Sequence, residues 1–155
     1  TVSPSYGTRI LLPHALGFLQ RWEEAAEIYA SLFERDDFAN LLLDPNVRHE
    51  NAELGLALLE WGVCEREIGN SKGAPERLSR ASSIFESLVV GVREGTNLWW
   101  PSKFYFVQTL SDRGEYGTAA ITIRNVETYY PEFDGGPFKE RFQRLAKELE
   151  RKVPR

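Results

Sequence analysis

The 155-residue chain has no methionine, one cysteine and two histidines, and each scarcity excludes something. A single cysteine has no internal partner, so no disulfide framework underlies the fold. With only His14 and His49 to activate a thiol, Cys64 in "EWGVCEREIG" reads as a small apolar residue buried on a helix, not as a nucleophile. Without methionine the chain has no start residue of its own, and we expect a piece of a longer protein. No apolar run approaches the ~20 residues needed to cross a bilayer, and no basic-then-apolar leader opens the chain. Neither a membrane span nor a targeting signal is therefore expected, and the compartment stays open.

The signatures of common chemistries are missing too. "HENAE", from His49 to Glu53, opens like a helical zinc-protease motif, but Glu53 stands where the second ligating imidazole is needed. Neither a G-x-S-x-G elbow nor a phosphate-cradling G-x-x-x-x-G-K occurs, and the glycines at Gly135 and Gly136 read as a helix break. Neighbouring carboxylates such as Asp36 with Asp37, or Glu65 with Glu67, are what a solvated helix face carries. We expect no enzyme, no metal site and no cofactor.

Charge of one sign is also scarce. The net charge of −4 is spread over interspersed residues, whereas broad nucleic-acid binding needs a clustered basic face to displace phosphate counterions. The basic run Lys139 to Arg155 is diluted by Glu140, Glu148 and Glu150. Nucleic acid is not an expected partner.

What the chain does have is 42% hydrophobic and 27% charged residues, the balance of one globular domain over 1–155. The apolar residues recur at three and four, the steps that return to one helix face, and no run alternates over a full strand. Seven helices and no sheet are expected.

A pattern also repeats. In "DRGEYGTAAITIRNVETYYP" Tyr116, Ala119, Ile123 and Val126 supply an aromatic, then a small, a large and a medium residue. Trp22, Ala25, Tyr29 and Leu32 take the same offsets in "QRWEEAAEIYASLFERDD", and Ala81, Phe85 and Leu88 do so in "SRASSIFESLVV". The alanine admits a neighbouring helix at close range, so each copy reads as the second helix of an antiparallel hairpin. First helices precede them at Arg9 to Gln20, where Pro13 should delay or kink the helix, at about Asn46 to Ile68, and from Trp99 to the Gly114 turn. Asp44 and Pro45 read as a cap and first helical residue, and Phe38, Leu41, Leu42 and Leu43 as apolar cover for the first hairpin. Phe138, Phe142, Leu145 and Leu149 mark an amphipathic last helix suited to capping. The aromatic run "NLWWPSKFYF" reads mainly as core, with a binding patch as the alternative.

These residues resemble the tetratricopeptide repeat family. Gly114, Tyr116, Ala119 and Pro131 match its turn glycine, aromatic, alanine and stop; Leu12, Trp22, Ala25 and Tyr29 match the first copy, which has Gln20 at the turn glycine. Trp61, Gly62, Gly69, Ala81 and Phe85 match the middle copy if its turn is lengthened by about seven residues. The copies are 56 (Ala25 to Ala81) and 38 (Ala81 to Ala119) residues apart, a divergent period. The resemblance implies an all-α fold of about three hairpins stacked as a short right-handed solenoid, with a C-terminal capping helix.

It also implies that first helices line a concave groove, here Ile10, His14, Leu59, Val63, Arg66, Phe104, Gln108 and Ser111. Leu59 and Phe104 stand where some members carry peptide-clamping lysines. The expected function is a non-enzymatic protein–protein interaction or scaffold domain holding a peptide or partner at Leu59, Val63, Arg66, Phe104 and Gln108. The alternative, weighed equally, is a groove filled by the chain's own "DFANLLLD" or "TVSPSYG". Two rivals are a structural module that forms a homo-oligomer through Trp99 and Trp100, and a regulatory or targeting domain of an enzyme whose catalytic part lies outside this chain.

Overall fold

A computed structural model describes the backbone of residues 6–34 and 48–154, and side chains from 10–34 and 52–154. Among the described residues there are seven α-helices, one short 3-10 turn and no strand. The helices are α1 (Tyr6–Phe18), α2 (Trp22–Phe33), α3 (Arg48–Glu67), α4 (Gly73–Gly91), α5 (Trp99–Asp112), α6 (Tyr116–Tyr129) and α7 (Lys139–Lys152), with the 3-10 turn at Phe133–Gly135. The all-α expectation holds because the four-and-three spacing gives each helix an apolar stripe to bury. The expected cap at Asp44 and Pro45, the apolar cover at Phe38 and Leu41 to Leu43, the segment "DFANLLLD" and most of "TVSPSYG" lie outside the described residues.

The chain forms two compact units, Thr1–Ile84 and Phe85–Arg155. In the first, α1, α2 and α3 pack pairwise on one another. Ala25, Tyr29 and Leu32 of α2 are buried, as are Leu54, Leu58, Trp61 and Cys64 of α3 and Leu78 and Ala81 of α4. Pro13 does not break α1, which runs through it to Phe18. The missing amide costs one helical bond, and the contacts of α1 with both neighbours hold the backbone through the gap. The inward face of α1 carries Ile10, Pro13 and Leu16, whereas Leu12, matched to the repeat's leucine, is exposed.

In the second unit α5, α6 and α7 pack pairwise, and the 3-10 turn packs on α7. One cluster joins Trp99, Trp100, Phe104, Val107 and Leu110 to Ala119, Ile123 and Val126, and to Phe133, Phe142, Leu145 and Leu149. Phe142 sits at its centre, stacked on Phe133 at 5.1 Å and edge-on to Phe104 at 5.3 Å and Trp100 at 6.1 Å. Burying each such aromatic contributes roughly 1.5–3 kcal/mol, with about 0.5–1.5 more from the ring geometry. Trp99 and Trp100 are thus core residues, Trp100 donating its indole N–H to the Gly95 carbonyl at 3.2 Å. Little of either is left exposed to drive self-association.

One turn geometry closes α1, α3 and α5. Gly114 N–H donates to the Ser111 carbonyl and Glu115 N–H to the Leu110 carbonyl, both at 2.9 Å. Gly69 and Asn70 make the same pair of bonds to Arg66 and Glu65, and Gln20 and Arg21 to Gly17 and Leu16. This double bond requires a left-handed residue after the helix, and Gly114 (φ 82°), Gly69 (φ 83°) and Gln20 (φ 59°) supply it. Ala25, Ala81 and Ala119 are each fully buried.

Candidate functional site

In the first unit the packing of α1 and α3 is tied by a side-chain relay. His14 Nδ1 of α1 bonds Glu60 Oε1 of α3, and the Tyr29 hydroxyl of α2 donates to the other carboxylate oxygen, Glu60 Oε2. Tyr29 is fully buried, and burial, reinforced by the Glu60 charge, pushes its phenol far above the ordinary range and keeps it a donor. Where the carboxylate is ionised it can only accept, and the contact then needs the proton on His14 Nδ1. The His14 side chain is 57% exposed and that of Glu60 20% exposed. Three helices are therefore held by one carboxylate. Cys64, one turn beyond Glu60, is a buried free thiol pushed up to about 11, by burial first and then by the Glu60 charge. That environment suits an inert thiol, as its sequence setting suggests.

The expected groove residues divide between the two units. Leu59, Val63 and Arg66 follow one stripe of α3: Leu59 is buried, Val63 half-buried and Arg66 exposed, with its guanidinium 3.4 Å from Glu67. Ile10 of α1 is buried and His14 is exposed. In the second unit Phe104 is buried between Phe138 and Phe142, and Gln108 is half-buried and donates to Asp112 Oδ2 at 3.1 Å. Ser111 is buried. Phe104 is thus core in its own unit, whereas Val63 and Arg66 are accessible in the first unit and Gln108 in the second.

Glu60 and Tyr29 were not singled out as site residues from sequence. The signal for Glu60 was present, because it is the only charged residue between Leu54 and Cys64. A lone carboxylate in an apolar helical run is either paired or functional.

A second polar cluster staples α3 to α4. Glu65 is buried, accepts from Asn70 Nδ2 at 2.5 Å and lies 3.4 Å from Arg77 Nη2. The Arg77 guanidinium lies 3.6 Å over the Trp61 ring, whose other stacking neighbour is Phe33 at 5.1 Å. Arg77 Nε and Trp61 Nε1 have no hydrogen-bond partner among the described residues. In the second unit Lys103 lies 5.9 Å from the Trp99 and Phe106 rings, and its burial holds the amine below the ordinary lysine range. Between α6 and α7 a cleft of about 340 Å³ is lined by apolar Ala120, Ile123 and Leu149 and by Arg124, Glu127 and Glu150.

Among the described residues no group of three or more His, Cys, Asp or Glu side chains is disposed to hold a metal ion, and no helix is long and apolar enough to cross a membrane. Comparison with family models, with curated proteins and with solved structures finds no match for the chain.

Proposed function

We propose that the chain is a non-enzymatic interaction domain built on tetratricopeptide-like hairpins, stacked in the right-handed sense, and that it receives a peptide segment of a partner protein on its first-helix faces. The observation that carries this reading is the α3 stripe beside the His14–Glu60 bridge. Buried Leu59, half-open Val63 and exposed Arg66 run from apolar floor to cationic end along one face. Such a gradient suits a peptide that sets an apolar side chain against Val63 and a carboxylate or backbone carbonyl against Arg66. In the second unit, Gln108 of α5 presents a half-buried amide that donates to Asp112. The recurrent turns at Gln20, Gly69 and Gly114 support the hairpin repeat.

The test is selection of binding peptides from a random library on the intact chain, followed by Val63→Asp and Arg66→Glu. Both positions are accessible, so each variant should keep its helical circular dichroism. Loss of at least about tenfold in affinity, some 1.4 kcal/mol, is the expected result. Selected peptides that bind both folded variants as tightly as the wild type would place the binding face elsewhere.

A further inference from the structure

Four arginines of the chain are matched to carboxylates: Arg21 to Glu24, Arg66 to Glu67, Arg77 to Glu65 and Arg113 to Glu115. Arg141 of α7 is held differently. Its Nη1 donates to the Tyr105 hydroxyl of α5 at 3.0 Å, and its guanidinium lies 5.2 Å from the Phe138 ring and 5.8 Å from the Phe104 ring. Every one of these partners is neutral. Among the described residues no carboxylate pairs with Arg141, so its charge is fixed in place without being neutralised.

The Tyr105 hydroxyl is a second unused donor. A phenol oxygen that accepts from Arg141 keeps its own O–H for another acceptor, and none bonds it among the described residues. The ring that carries it is held on two sides, stacked on Phe85 at 5.5 Å and edge-on to Phe138 at 6.4 Å. Tyr105 and Phe138 are half-buried and Arg141 is exposed. Two donor groups with heavy atoms 3.0 Å apart are therefore set in fixed positions at the surface, on an aromatic base.

We propose that Arg141 and Tyr105 form a recognition site for a carboxylate, carried by an Asp or Glu side chain in a segment of a partner protein. Charge complementarity selects this occupant. A carboxylate accepts from the guanidinium and the hydroxyl at once, and it brings the single negative charge that Arg141 lacks. Its methylene stem rests against the half-buried Phe138 ring. The donors stand at an exposed surface, where a small molecule would have little to enclose it, so a side chain presented by a larger partner is the better fit. Because the rings already hold both donors, binding has little side-chain freedom left to remove. All of these residues belong to the second unit, and the site does not depend on the α3 stripe of the first.

Blocked pentapeptides that differ only in a central Glu, Gln or phosphoserine, titrated into the isotope-labelled 155-residue chain, provide the test. The Glu peptide should bind with a dissociation constant of about 1 mM, shift the Arg141 Nε–H resonance, and bind at least about fivefold more tightly than the Gln peptide. Arg141→Gln should abolish that preference and Tyr105→Phe should reduce it, both with unchanged helical circular dichroism. Arg141→Lys keeps the charge without the planar fork and should retain only part of the preference. In the first unit, Arg66→Glu should leave it intact, so failure here and failure of the α3 peptide face are separate results. A Gln peptide bound as tightly as the Glu peptide, or a preference that survives Arg141→Gln, overturns the proposal. A phosphoserine peptide bound more tightly than the Glu peptide overturns the carboxylate as the ligand.

Discussion

Leu78 occupies the space that a side chain at Gly62 would need. A Cβ built on Gly62 would lie 2.8 Å from Leu78 Cγ, 2.9 Å from its Cδ2 and 3.3 Å from its backbone nitrogen. The contact brings α3 and α4 together at a point where even a methyl group requires Leu78 to shift. Overpacking of this kind costs typically about 1–3 kcal/mol.

Gly62→Ala should therefore lower the urea midpoint, and in a Leu78→Ala background the same change should cost distinctly less. Gly117 of α6 is the control, since a Cβ there meets nothing within 4 Å. Gly117→Ala should raise stability by about 0.5–1 kcal/mol through helix propensity alone. Equal effects at the two glycines would show that α3 and α4 do not approach closely at Gly62.

The turns supply a second prediction. Gln20 adopts φ 59° and Gly114 φ 82°, yet only the second residue is free of the Cβ clash that this region imposes. Gln20→Gly should stabilise the chain by about 1 kcal/mol, and Gly114→Ala should destabilise it by about 1–2 kcal/mol. Both shifts are within reach of thermal or denaturant melts. A Gln20→Gly variant less stable than the wild type would show that the Gln20 side chain makes a compensating contact.

Much of this was legible in the sequence. The spacing of Ala119, Ile123 and Val126 gave the buried stripe of α6 because helical period and burial are the same constraint seen in one and three dimensions. The turn residues were legible for the same local reason. The relay at Glu60 was not, since it joins side chains 46 and 31 residues apart, His14 and Tyr29, and no local rule pairs them. The phase of α1 also escaped the pattern. Leucines at 11, 12, 16 and 19 around Pro13 fit more than one inward face, and only the packing on α2 and α3 chose Ile10, Pro13 and Leu16. Phe104 aligned with a groove position, but α7 brings Phe138 and Phe142 against it, which makes it core.

The hairpin contact at Ala119 yields a third prediction. Ala119 is fully buried beside Ile123 and Val126, in a unit whose surrounding cluster is aromatic and aliphatic. Ala119→Arg places a long side chain and an unpaired charge where neither fits, and should cost about 3–5 kcal/mol or abolish cooperative unfolding. Ala119→Ser changes little in volume, and its hydroxyl can donate to the Glu115 carbonyl one turn back as Ser102 and Thr109 do in α5, so it should cost only about 1 kcal/mol. An Ala119→Arg variant with the wild-type denaturation midpoint would mean that α5 and α6 do not meet at this residue.

Alkaline pH should loosen the first unit, with a sign fixed by its two buried acids. Cys64 rises from the ordinary 9.0 to about 11, chiefly by burial, and Tyr29 is raised for the same reason. Above pH 9 the unfolded chain has begun to release the thiol proton while the folded chain retains it. The native state then binds more protons, so stability must fall as pH rises. The Cys64 contribution is fully present below pH 9.0 and is lost progressively up to about pH 11. Tyr29 begins to add its own loss above its ordinary value of 10.0. Urea midpoints measured in steps between about pH 8 and 11 should decline, and Cys64→Ala should flatten the early part of that decline while leaving the later, tyrosine-dependent part. In parallel, a thiol reagent should label Cys64 at the rate of unfolding, since the native thiol is both buried and protonated. Identical pH profiles for the wild type and Cys64→Ala, or labelling as fast as that of a free thiol in water, would show that the α3 face bearing Cys64 is open to solvent.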